Sequence, residues 1–476
     1  MTIAFQQEPF PQELFAIQKS LQSITLRWAT QKQLDATEAQ SLRSRAAEIC
    51  HTYYQQRMPI YQKICRRMKI EGAADYDTII NQLMIPDDMF KSYPQILLDQ
   101  RDYQAMDRWV SSISGVTLKS NPLTPQDIDQ WLEYCAAQGI TLVFSSGTSG
   151  HLSFVPRDTA TWQAFTQLPF LYIPAMLADR GILPAWKQAL VRRLPRWLSA
   201  QRYTSVVQKF GLRSIDGFFF NFSGGNQGIQ LVGQEMGLLT RVAHYLYAKK
   251  MSAAAVRAIV KGPSSLADAK LLDDIMETTV RQKAQNYERM LSQLQLSIKK
   301  KHRVMLFGTP ALMKEFCEIL QQKRLLITLP KGSSVTYGGG WKSFTGERIP
   351  EEQLRQLLQD TLGIEPKAIS EGYSMTEING LMPKCPQGHF HIPPFLDTVV
   401  YDEALVPLDG EEVSGTLGII DPFATSYPGF ILTGDNVSLS HKPCDCGLPG
   451  SHISKVDRTP GKDVKGCGGI MATVNA

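Results

Sequence analysis

The sequence has no uninterrupted apolar run of about 18 residues, the length that a membrane-spanning helix requires. Its first residues, MTIAFQQEPFPQELF, are mixed and polar, and they lack the basic and apolar regions of a secretory leader. Internal repeats and low-complexity tracts are also missing. These absences argue against a membrane span, and they predict a cytoplasmic protein whose eight cysteines are reduced.

A strong excess of charge is absent too. The formal net charge is +5 over 476 residues, which suits an anionic substrate but does not support a nucleic-acid-binding protein. Apolar residues make up 43% and charged residues 20%, as in ordinary soluble globular proteins. A chain of this length predicts one large, lobed α/β body with accessory segments.

The pattern of apolar and polar residues changes along the chain. Residues 1–130 have a helical pattern, with amphipathic stretches at Leu14–Trp28, Glu38–Arg57 and Pro125–Gln138. Residues 159–300 are again mostly helical in pattern, apart from an aromatic run at 217–222. From residue 303, short apolar runs separated by Gly and Pro alternate with a helix-like segment, which predicts an α/β sheet. We therefore predict a helical region over 1–130, a main domain over 131–456 and a short tail over 457–476.

A loop of small residues follows the apolar run that ends at Phe144. It consists of Ser145, Ser146, Gly147, Thr148, Ser149 and Gly150. Such a loop can place backbone N–H groups and hydroxyls around a phosphate. No Gly-Lys-Ser/Thr follows, so it is not a Walker loop, and a flexible turn is the alternative interpretation.

Three later segments carry further candidate residues. They are Tyr337–Lys342, which reads Y-G-G-G-W-K; Glu371–Glu377, which reads E-G-Y-S-M-T-E; and Leu432–Asp435, which reads L-T-G-D. The first is a glycine-rich bend closed by an aromatic residue and a cation. The second places an aromatic ring, a hydroxyl and a carboxylate close together, and the third ends a strand on an acid. Taken singly, each could be a turn, a helix start or a strand end.

In this order, the loop and the three segments resemble the adenylate-forming superfamily of acyl-CoA synthetases, peptide-synthetase adenylation domains and luciferases. The resemblance implies a large α/β domain of mixed sheets flanked by helices, which binds ATP and Mg²⁺. It implies that residues 145–150, with Gly339 and Gly340, contact the nucleotide. It also implies that Tyr373 lies against the adenine and that Asp435 binds the ribose.

The same resemblance implies the catalytic roles. Thr376 would contact the α-phosphate and Glu377 would hold Mg²⁺, which offsets the repulsion when a carboxylate attacks that phosphate. Lys342 is a further candidate catalytic residue. The aromatic run Phe218–Phe222 is either a wall of the acid pocket or a buried core strand. One departure is Ser153, which stands where the family usually has a lysine, and the nearest cation downstream is Arg157. The arginine that usually follows Thr-Gly-Asp could be Arg458.

Two segments, Gly338–Lys342 and Leu306–Pro310, resemble the acyl-protein synthetase of bacterial bioluminescence, which charges a fatty acid onto a thiol. Members of that branch stop soon after Thr-Gly-Asp, and we expect this chain likewise to lack the C-terminal lid of the superfamily. In that branch a cysteine near the C-terminus accepts the acyl group, and Cys467 occupies the corresponding place. Neighbouring lysines would favour its thiolate, although an idle tail cysteine is the alternative.

A cysteine and histidine cluster predicts a metal site. Cys385, Cys444 and Cys446 with one histidine can supply the four tetrahedral ligands of a structural zinc ion. We choose His391 over His389 because it aligns with a histidine of phenylacetate-CoA-ligase-like relatives that carry a similar cluster. The alternative is a chance group of reduced cysteines and histidines.

Three functional hypotheses follow. The favoured one is ATP-dependent activation of a fatty or aryl acid to an acyl-adenylate, followed by transfer to a protein thiol. That thiol is either Cys467 or one on a partner, such as an acyl-carrier or acyl-reductase protein. The first alternative is an acyl- or aryl-CoA ligase. The second is a non-catalytic member that binds the nucleotide or the acyl-adenylate, for which Ser153 gives some support.

Overall fold

A computed structural model describes residues 11–119, 125–146, 151–210, 213–263, 265–341 and 346–458 of the chain. Helices and strands alternate through most of this part, which confirms the predicted mixed α/β class. The α-helices are α1 (Gln12–Gln31), α2 (Ala36–Arg57), α3 (Pro59–Met68), α4 (Tyr76–Gln82), α5 (Ile96–Asp99), α6 (Tyr103–Ile113), α7 (Ile128–Ala137), α8 (Thr159–Gln167), α9 (Ile173–Asp179), α10 (Ala185–Arg193), α11 (Ala200–Phe210), α12 (Gly228–Leu239), α13 (Ala253–Lys261), α14 (Leu266–Met276), α15 (Lys283–Lys299), α16 (Pro310–Gln322) and α17 (Glu351–Leu362).

Fourteen strands lie in the described residues. They are β1 (Ile85–Pro86), β2 (Thr141–Ser146), β3 (Leu152–Arg157), β4 (Ile215–Gly224), β5 (Val242–Lys250), β6 (Arg303–Gly308), β7 (Ser334–Gly338), β8 (Ile369–Tyr373), β9 (Met382–Pro383), β10 (Phe390–His391), β11 (Asp397–Tyr401), β12 (Glu412–Ile420), β13 (Phe430–Ser440) and β14 (His452–Arg458).

The first of two large sheets has the strand order β5-β4-β6-β7-β8-β9. Its first five strands are parallel, and only the short β9 runs antiparallel at the edge. Parallel neighbours need crossover connections, and α12, α16 and α17 supply them between successive strands. The apolar runs predicted from residue 303 onward become β6, β7 and β8 of this sheet.

The second large sheet is antiparallel along β10-β14-β13-β12-β11. The short β1 adds to it in parallel, with Ile85 opposite Ile431 of β13. A separate antiparallel hairpin is formed by β2 and β3, with Phe144 opposite Phe154. Chain segments far apart in sequence therefore meet in the second sheet, whereas the two strands of the hairpin are neighbours along the chain.

The predicted amphipathic helices are present as α1, α2 and α7. Asp35 and Asp127 cap α2 and α7, because each side chain accepts a hydrogen bond from the backbone N–H three residues later, as helix N-caps commonly do. Side chains of the first helices reach the rest of the chain: Trp28 Nε1 donates to the Pro449 carbonyl at 2.7 Å, and Tyr54 donates to the Ala424 carbonyl at 2.5 Å. The division at residues 130 and 456 stays a prediction.

Seven strands were not among the sequence predictions, and three of them, β1, β9 and β10, are only two residues long. Residues 159–300 were expected to be helical apart from the aromatic run at 217–222, but β5 lies within them. The sequence of β5, VAHYLYAKK, carries polar residues on an edge strand, and its apolar periodicity is correspondingly weak. The remaining three are β3, β11 and β14: β3 pairs with β2, β11 pairs with β12, and β14 lies between β10 and β13. None of the described helices combines the length and the apolar character that crossing a bilayer would need.

Candidate active site and metal cluster

The candidate site lies at one edge of the parallel sheet. The strands β4, β6, β7 and β8 run in the same direction, so their carboxyl ends share that edge. Gly338 at the end of β7 lies opposite Gly372 near the end of β8. In open parallel sheets this is the edge where ligands bind. The segments after β7 and β8 are the glycine-rich bend and the Tyr373–Glu377 run.

The hairpin brings the first part of the predicted phosphate loop to the same edge. The Phe144 N–H in β2 donates to the Asn226 carbonyl at 2.9 Å, and Asn226 lies two residues beyond the end of β4. Ser145 and Ser146, the next two residues, are buried. The remaining loop residues, Gly147, Thr148, Ser149 and Gly150, lie outside the described part of the chain.

The bend after β7 depends on glycine. Gly339 and Gly340 have φ values of +81° and +61°, a backbone region that side chains disfavour. Two such residues in succession turn the chain sharply where it leaves the sheet. The backbone N–H groups of such a turn can point toward an anion. Lys342, the predicted cation at the end of the bend, lies outside the described residues.

A tyrosine and an aspartate link the two large sheets. The Tyr373 hydroxyl at the end of β8 donates to Asp435 Oδ2 in β13 at 2.7 Å. Asp435 is buried, and its backbone lies opposite Arg458 in β14. The two residues that the resemblance assigns to adenine and ribose are therefore in direct contact, and the backbone of Arg458 lies on the adjacent strand.

Thr376 and Glu377 form the chemical centre of this region. Both are buried, and the Thr376 hydroxyl donates to Glu377 Oε2 at 2.9 Å. Tyr427 holds the backbone of the same residue, since its hydroxyl donates to the Glu377 carbonyl at 3.0 Å. A carboxylate held this way can bind a divalent cation with little loss of conformational freedom.

Arg157 organises the segment that carries these two residues. It stands at the end of β3, and its guanidinium is completely buried. One terminal nitrogen donates to the carbonyls of Thr376 at 2.7 Å and Ile378 at 3.1 Å, and the other donates to Asn379 Oδ1. The guanidinium also lies 4.2 Å from the centre of the Phe165 ring. This cation, the nearest one after the loop in sequence, is therefore used to hold residues 376–379.

Asp421 supports the same segment from the opposite side. Its Oδ2 accepts from the Asn379 backbone N–H at 2.7 Å and from the Asn379 side chain at 2.9 Å, while Oδ1 accepts from the Phe423 N–H at 2.9 Å. Burial raises the pKa of Asp421, and the N–H donors and the Arg157 charge oppose that shift. Arg157, Asn379, Asp421 and Tyr427, here called the loop clamp, were not among the predicted site residues. A lone cation at the end of an apolar strand was the one signal for them.

The aromatic run of β4 was proposed either as a wall of the acid pocket or as a buried core strand. Phe218, Phe219, Phe220 and Phe222 are all buried. Phe219 stacks on Tyr245 of β5 with ring centres 5.1 Å apart, and Phe220 packs against Phe316 of α16 at 4.8 Å. These contacts are those of the buried-strand alternative.

The predicted metal ligands lie together at the end of the second sheet. Cys385 and His391 bracket the turn between β9 and β10, and Cys444 and Cys446 lie in the loop between β13 and β14. The backbone pairing of His391 with His452 brings these two loops together. The ligand atoms of the four residues all lie within 4.8 Å of one another.

The distances fit a tetrahedral ion. Cys385 Sγ lies 3.8 Å from Cys444 Sγ, and Cys446 Sγ lies 3.2 Å from His391 Nε2. A tetrahedron with Zn–S bonds of about 2.3 Å has edges of about 3.8 Å. A sulfur separation of 3.8 Å is also far longer than a disulfide bond. His389 lies beside the cluster, with Nδ1 3.3 Å from Cys444 Sγ.

The predicted acyl acceptor, Cys467, lies outside the described residues. Of the predicted site residues, the described ones fall into two groups: those at the carboxyl edge of the parallel sheet, and the four of the cysteine and histidine cluster.

Comparisons with known proteins agree with the sequence resemblance. A family model described as "Acyl-protein synthetase, LuxE" matches residues 267–474. This confirms the predicted resemblance over a range that includes Tyr373, Thr376, Glu377 and Asp435, together with the cysteine and histidine cluster. It covers less than half of the chain and leaves out the β2–β3 hairpin.

Two curated relatives are long-chain-fatty-acid–luciferin-component ligases. The one from Aliivibrio fischeri is 26% identical over 200 residues, which are 42% of this chain and 53% of the relative. The one from Vibrio harveyi is 25% identical over 166 residues, which are 34% of this chain and 43% of the relative. The chain therefore spans about half the length of the curated relatives it matches.

Among solved structures, the chain is similar to 2-hydroxyisobutyryl-CoA ligase in complex with 2-HIB-AMP and CoA. That match has 13% identity and a TM-score of 0.46, and it covers 91% of this chain and 70% of the other. A structure of McyG A-PCP with phenylalanyl-adenylate matches with 12% identity and a TM-score of 0.38, covering 89% and 70% of the two chains. Both scores are too low to bear on the site.

Replacing Arg157 with lysine is expected to destabilise the protein strongly. Lysine keeps the charge, but one ammonium group cannot reach the three acceptors that the planar guanidinium serves. We expect the free energy of unfolding to fall by about 2–4 kcal/mol, since buried carbonyls lose their donors. The measurement is the urea midpoint.

The matched control is Arg192→Lys, at an ion pair with Asp179 where the arginine is half exposed. That change should alter stability by no more than about 0.5 kcal/mol. Equal midpoint shifts for the two variants would show that the contacts of Arg157 do not hold the segment.

Proposed function

We propose that this protein uses ATP to convert a carboxylic acid into an acyl-adenylate, and that the acyl group then passes to a protein thiol. The observation that carries the proposal is the buried Thr376–Glu377 pair at the carboxyl edge of the parallel sheet. This pair follows Tyr373 closely in sequence, and Tyr373 contacts Asp435. The match of residues 267–474 to the acyl-protein synthetase model supports the same activity.

In the first step, a carboxylate oxygen of the acid attacks the α-phosphorus of ATP. A new C(O)O–P bond forms, the bond from the α-phosphorus to the bridging oxygen breaks, and pyrophosphate leaves. The Thr376 hydroxyl would donate to an α-phosphate oxygen, and Glu377 would hold Mg²⁺. The cation would supply charge neutralisation as the two anions approach. Tyr373 and Asp435 would position the adenosine.

Burial of the site favours this chemistry. Glu377 is fixed through its side chain by Thr376 and through its backbone by Tyr427, so few rotamers need to be frozen when ATP binds. The loop clamp fixes the adjoining residues in the same way. The predicted loop at 145–150, with Gly339 and Gly340, would surround the pyrophosphate. Ser153, which replaces the usual lysine, is buried in β3 opposite Ser145.

In the second step, a thiolate attacks the acyl carbon, a thioester forms, and AMP leaves with the electron pair of the C–O bond. We propose Cys467 as the first acceptor, with an acyl-carrier or acyl-reductase protein as the next one. The names of the two ligase relatives favour a long-chain fatty acid over an aryl acid as the substrate. Transfer to CoA is the second candidate for this step.

We also propose that Cys385, His391, Cys444 and Cys446 bind one structural zinc ion. Four protein ligands leave no open position for catalysis. The ion would pin the loop between β9 and β10 to the loop between β13 and β14. The first loop follows β9, the strand after the one that ends at Tyr373, and the second loop follows β13, which contains Asp435. The ion would therefore stabilise the relative position of the two large sheets.

The proposed reaction predicts covalent labelling of the chain. With Mg²⁺, ATP and a radiolabelled long-chain fatty acid, the protein should acquire a label that hydroxylamine removes, as expected for a thioester. Cys467→Ser should lose this label but keep ATP–pyrophosphate exchange, because adenylation precedes the thiol. Cys65→Ala, a change at a buried cysteine of α3, should keep both.

Each contrary result has a definite meaning. Exchange without covalent label in the unmodified chain would assign the acyl group to CoA or to a partner's thiol. Label retained in Cys467→Ser would exclude this cysteine as the acceptor. Neither label nor exchange with any acid, despite ATP binding, would leave the non-catalytic alternative.

The metal proposal predicts one zinc ion per chain. Cys444→Ser should abolish stoichiometric zinc and lower the thermal stability, because the remaining ligands cannot complete the tetrahedron. Metal content by plasma mass spectrometry and melting temperature measure the two effects. Cys317→Ala, in the core helix α16, should keep the zinc even if it lowers stability. Protein prepared with ample zinc but containing none would contradict the proposal.

A further inference from the structure

One segment of the chain has a composition unlike the rest. Residues 180–215 contain eight Lys and Arg residues and no Asp or Glu: Arg180, Lys187, Arg192, Arg193, Arg196, Arg202, Lys209 and Arg213. Since the whole chain has a net charge of +5, subtracting these eight cations leaves the remainder at −3. The positive charge of this protein is therefore concentrated in α10, α11 and their flanks.

Large apolar side chains protrude from the same segment. Trp186 and Leu190 of α10 are 64% and 37% exposed, and Trp197, just beyond the helix, is 84% exposed. Trp186, Leu190 and Arg193 follow the i, i+4, i+7 spacing of one helix face. Val191 of the same helix is buried, and Trp186, Leu190 and Val191 line an apolar cavity together with Leu177.

Several of the cations are available to a partner. Arg193, Arg202, Lys209 and Arg213 are exposed. By contrast, Arg192 pairs with Asp179 at 2.7 Å, and Arg180 is buried among backbone carbonyls. Four exposed cations therefore accompany the protruding tryptophans, in a stretch of chain that contains no acidic residue to neutralise them.

We propose that this surface, here called the docking surface and formed by Trp186, Leu190, Arg193, Trp197 and Arg202, binds the face of an anionic phospholipid bilayer. Cationic residues near a membrane gain from its negative surface potential, and Trp side chains settle at the level of the headgroups. A short amphipathic helix with Trp, Leu and Arg can lie in that interface without crossing the bilayer. Such docking does not depend on the adenylation reaction.

The exposed fractions favour a bilayer over an acidic protein. Trp197 makes little contact with its own chain, and the partly exposed Trp186 and Leu190 lie within eleven positions of it in the sequence. Protruding aromatic side chains need a matching pocket on a protein partner, whereas the headgroup region of a bilayer accepts them without one. Charge alone would attract either partner, so the aromatic residues decide between them.

The test is co-sedimentation of the full chain with vesicles of phosphatidylglycerol and phosphatidylcholine in equal parts. We expect binding that weakens as salt is added, and a blue shift of tryptophan emission. Arg193→Gln with Arg202→Gln should weaken binding by about 25-fold, at about fivefold for each cation. Trp186→Ser with Trp197→Ser should weaken it by more than about tenfold and remove the blue shift.

The matched control is Lys299→Gln with Lys300→Gln, which removes two exposed cations at the end of α15. This variant should bind like the unmodified chain, and all variants should keep their melting temperature and their ATP–pyrophosphate exchange with a water-soluble acid. Equal loss in the control would overturn the docking surface as the specific site. Binding no stronger to anionic than to pure phosphatidylcholine vesicles would overturn the proposal. Capture of a purified acidic acyl-carrier protein through the same residues, without vesicle binding, would overturn it in favour of a protein partner.

Discussion

The candidate site depends on one buried cation. Arg157 comes from the β2–β3 hairpin, yet all of its described hydrogen bonds go to residues 376–379, more than 200 positions later in the chain. Burying a guanidinium is unfavourable unless its donors are satisfied. The backbone carbonyls and the Asn379 amide accept hydrogen bonds from the two terminal nitrogens of Arg157, and Asp421 in turn holds Asn379. The hairpin, the parallel sheet and the loop before β13 thus meet at the segment that presents Thr376 and Glu377.

This arrangement explains how two sheets of different type share one site. The parallel sheet supplies the bend at Gly339 and the hydroxyl and carboxylate at 376–377, while the antiparallel sheet supplies Asp435. Tyr373 crosses between them through its hydrogen bond to Asp435. The cysteine and histidine cluster also brings the loop after β9 together with the loop after β13. The relative position of the sheets is therefore fixed at several points, as positioning of a nucleotide requires.

Much of the fold could be predicted because the pattern was local. Helices such as α2, with regular apolar spacing and an Asp N-cap, and strands such as β6, flanked by Gly and Pro, carry their signal within a short window. The edge strand β5 and the strand β3 do not. The polar residues of β5 weaken its pattern, and β5 is held by pairing with β4. The sequence of β3, LSFVPR, contains a proline and an arginine, and β3 is held by pairing with β2, its neighbour along the chain.

The site residues likewise divide into those that a local motif could predict and those that it could not. Thr376, Glu377 and Asp435 belong to short motifs whose order along the chain could be compared with a known superfamily. Asp421 and Tyr427 have no such motif, and they act on residues 376–379 only because the loop before β13 folds against them. The cluster was predictable for the opposite reason, since structural zinc sites are built mostly from cysteine and histidine and few residue types qualify.

The most direct test of the account is ATP–pyrophosphate exchange with Mg²⁺, measured across fatty and aryl acids for the unmodified chain and for Glu377→Gln. Glu365→Gln, at an exposed carboxylate in an ion pair with Lys367, serves as the matched control. The account predicts exchange that requires an acid, is kept in the control and falls by about 100-fold or more in Glu377→Gln, where the carboxylate charge is lost. Exchange that is absent with every acid, or that survives undiminished in Glu377→Gln, would contradict the claim that this buried pair activates a carboxylic acid.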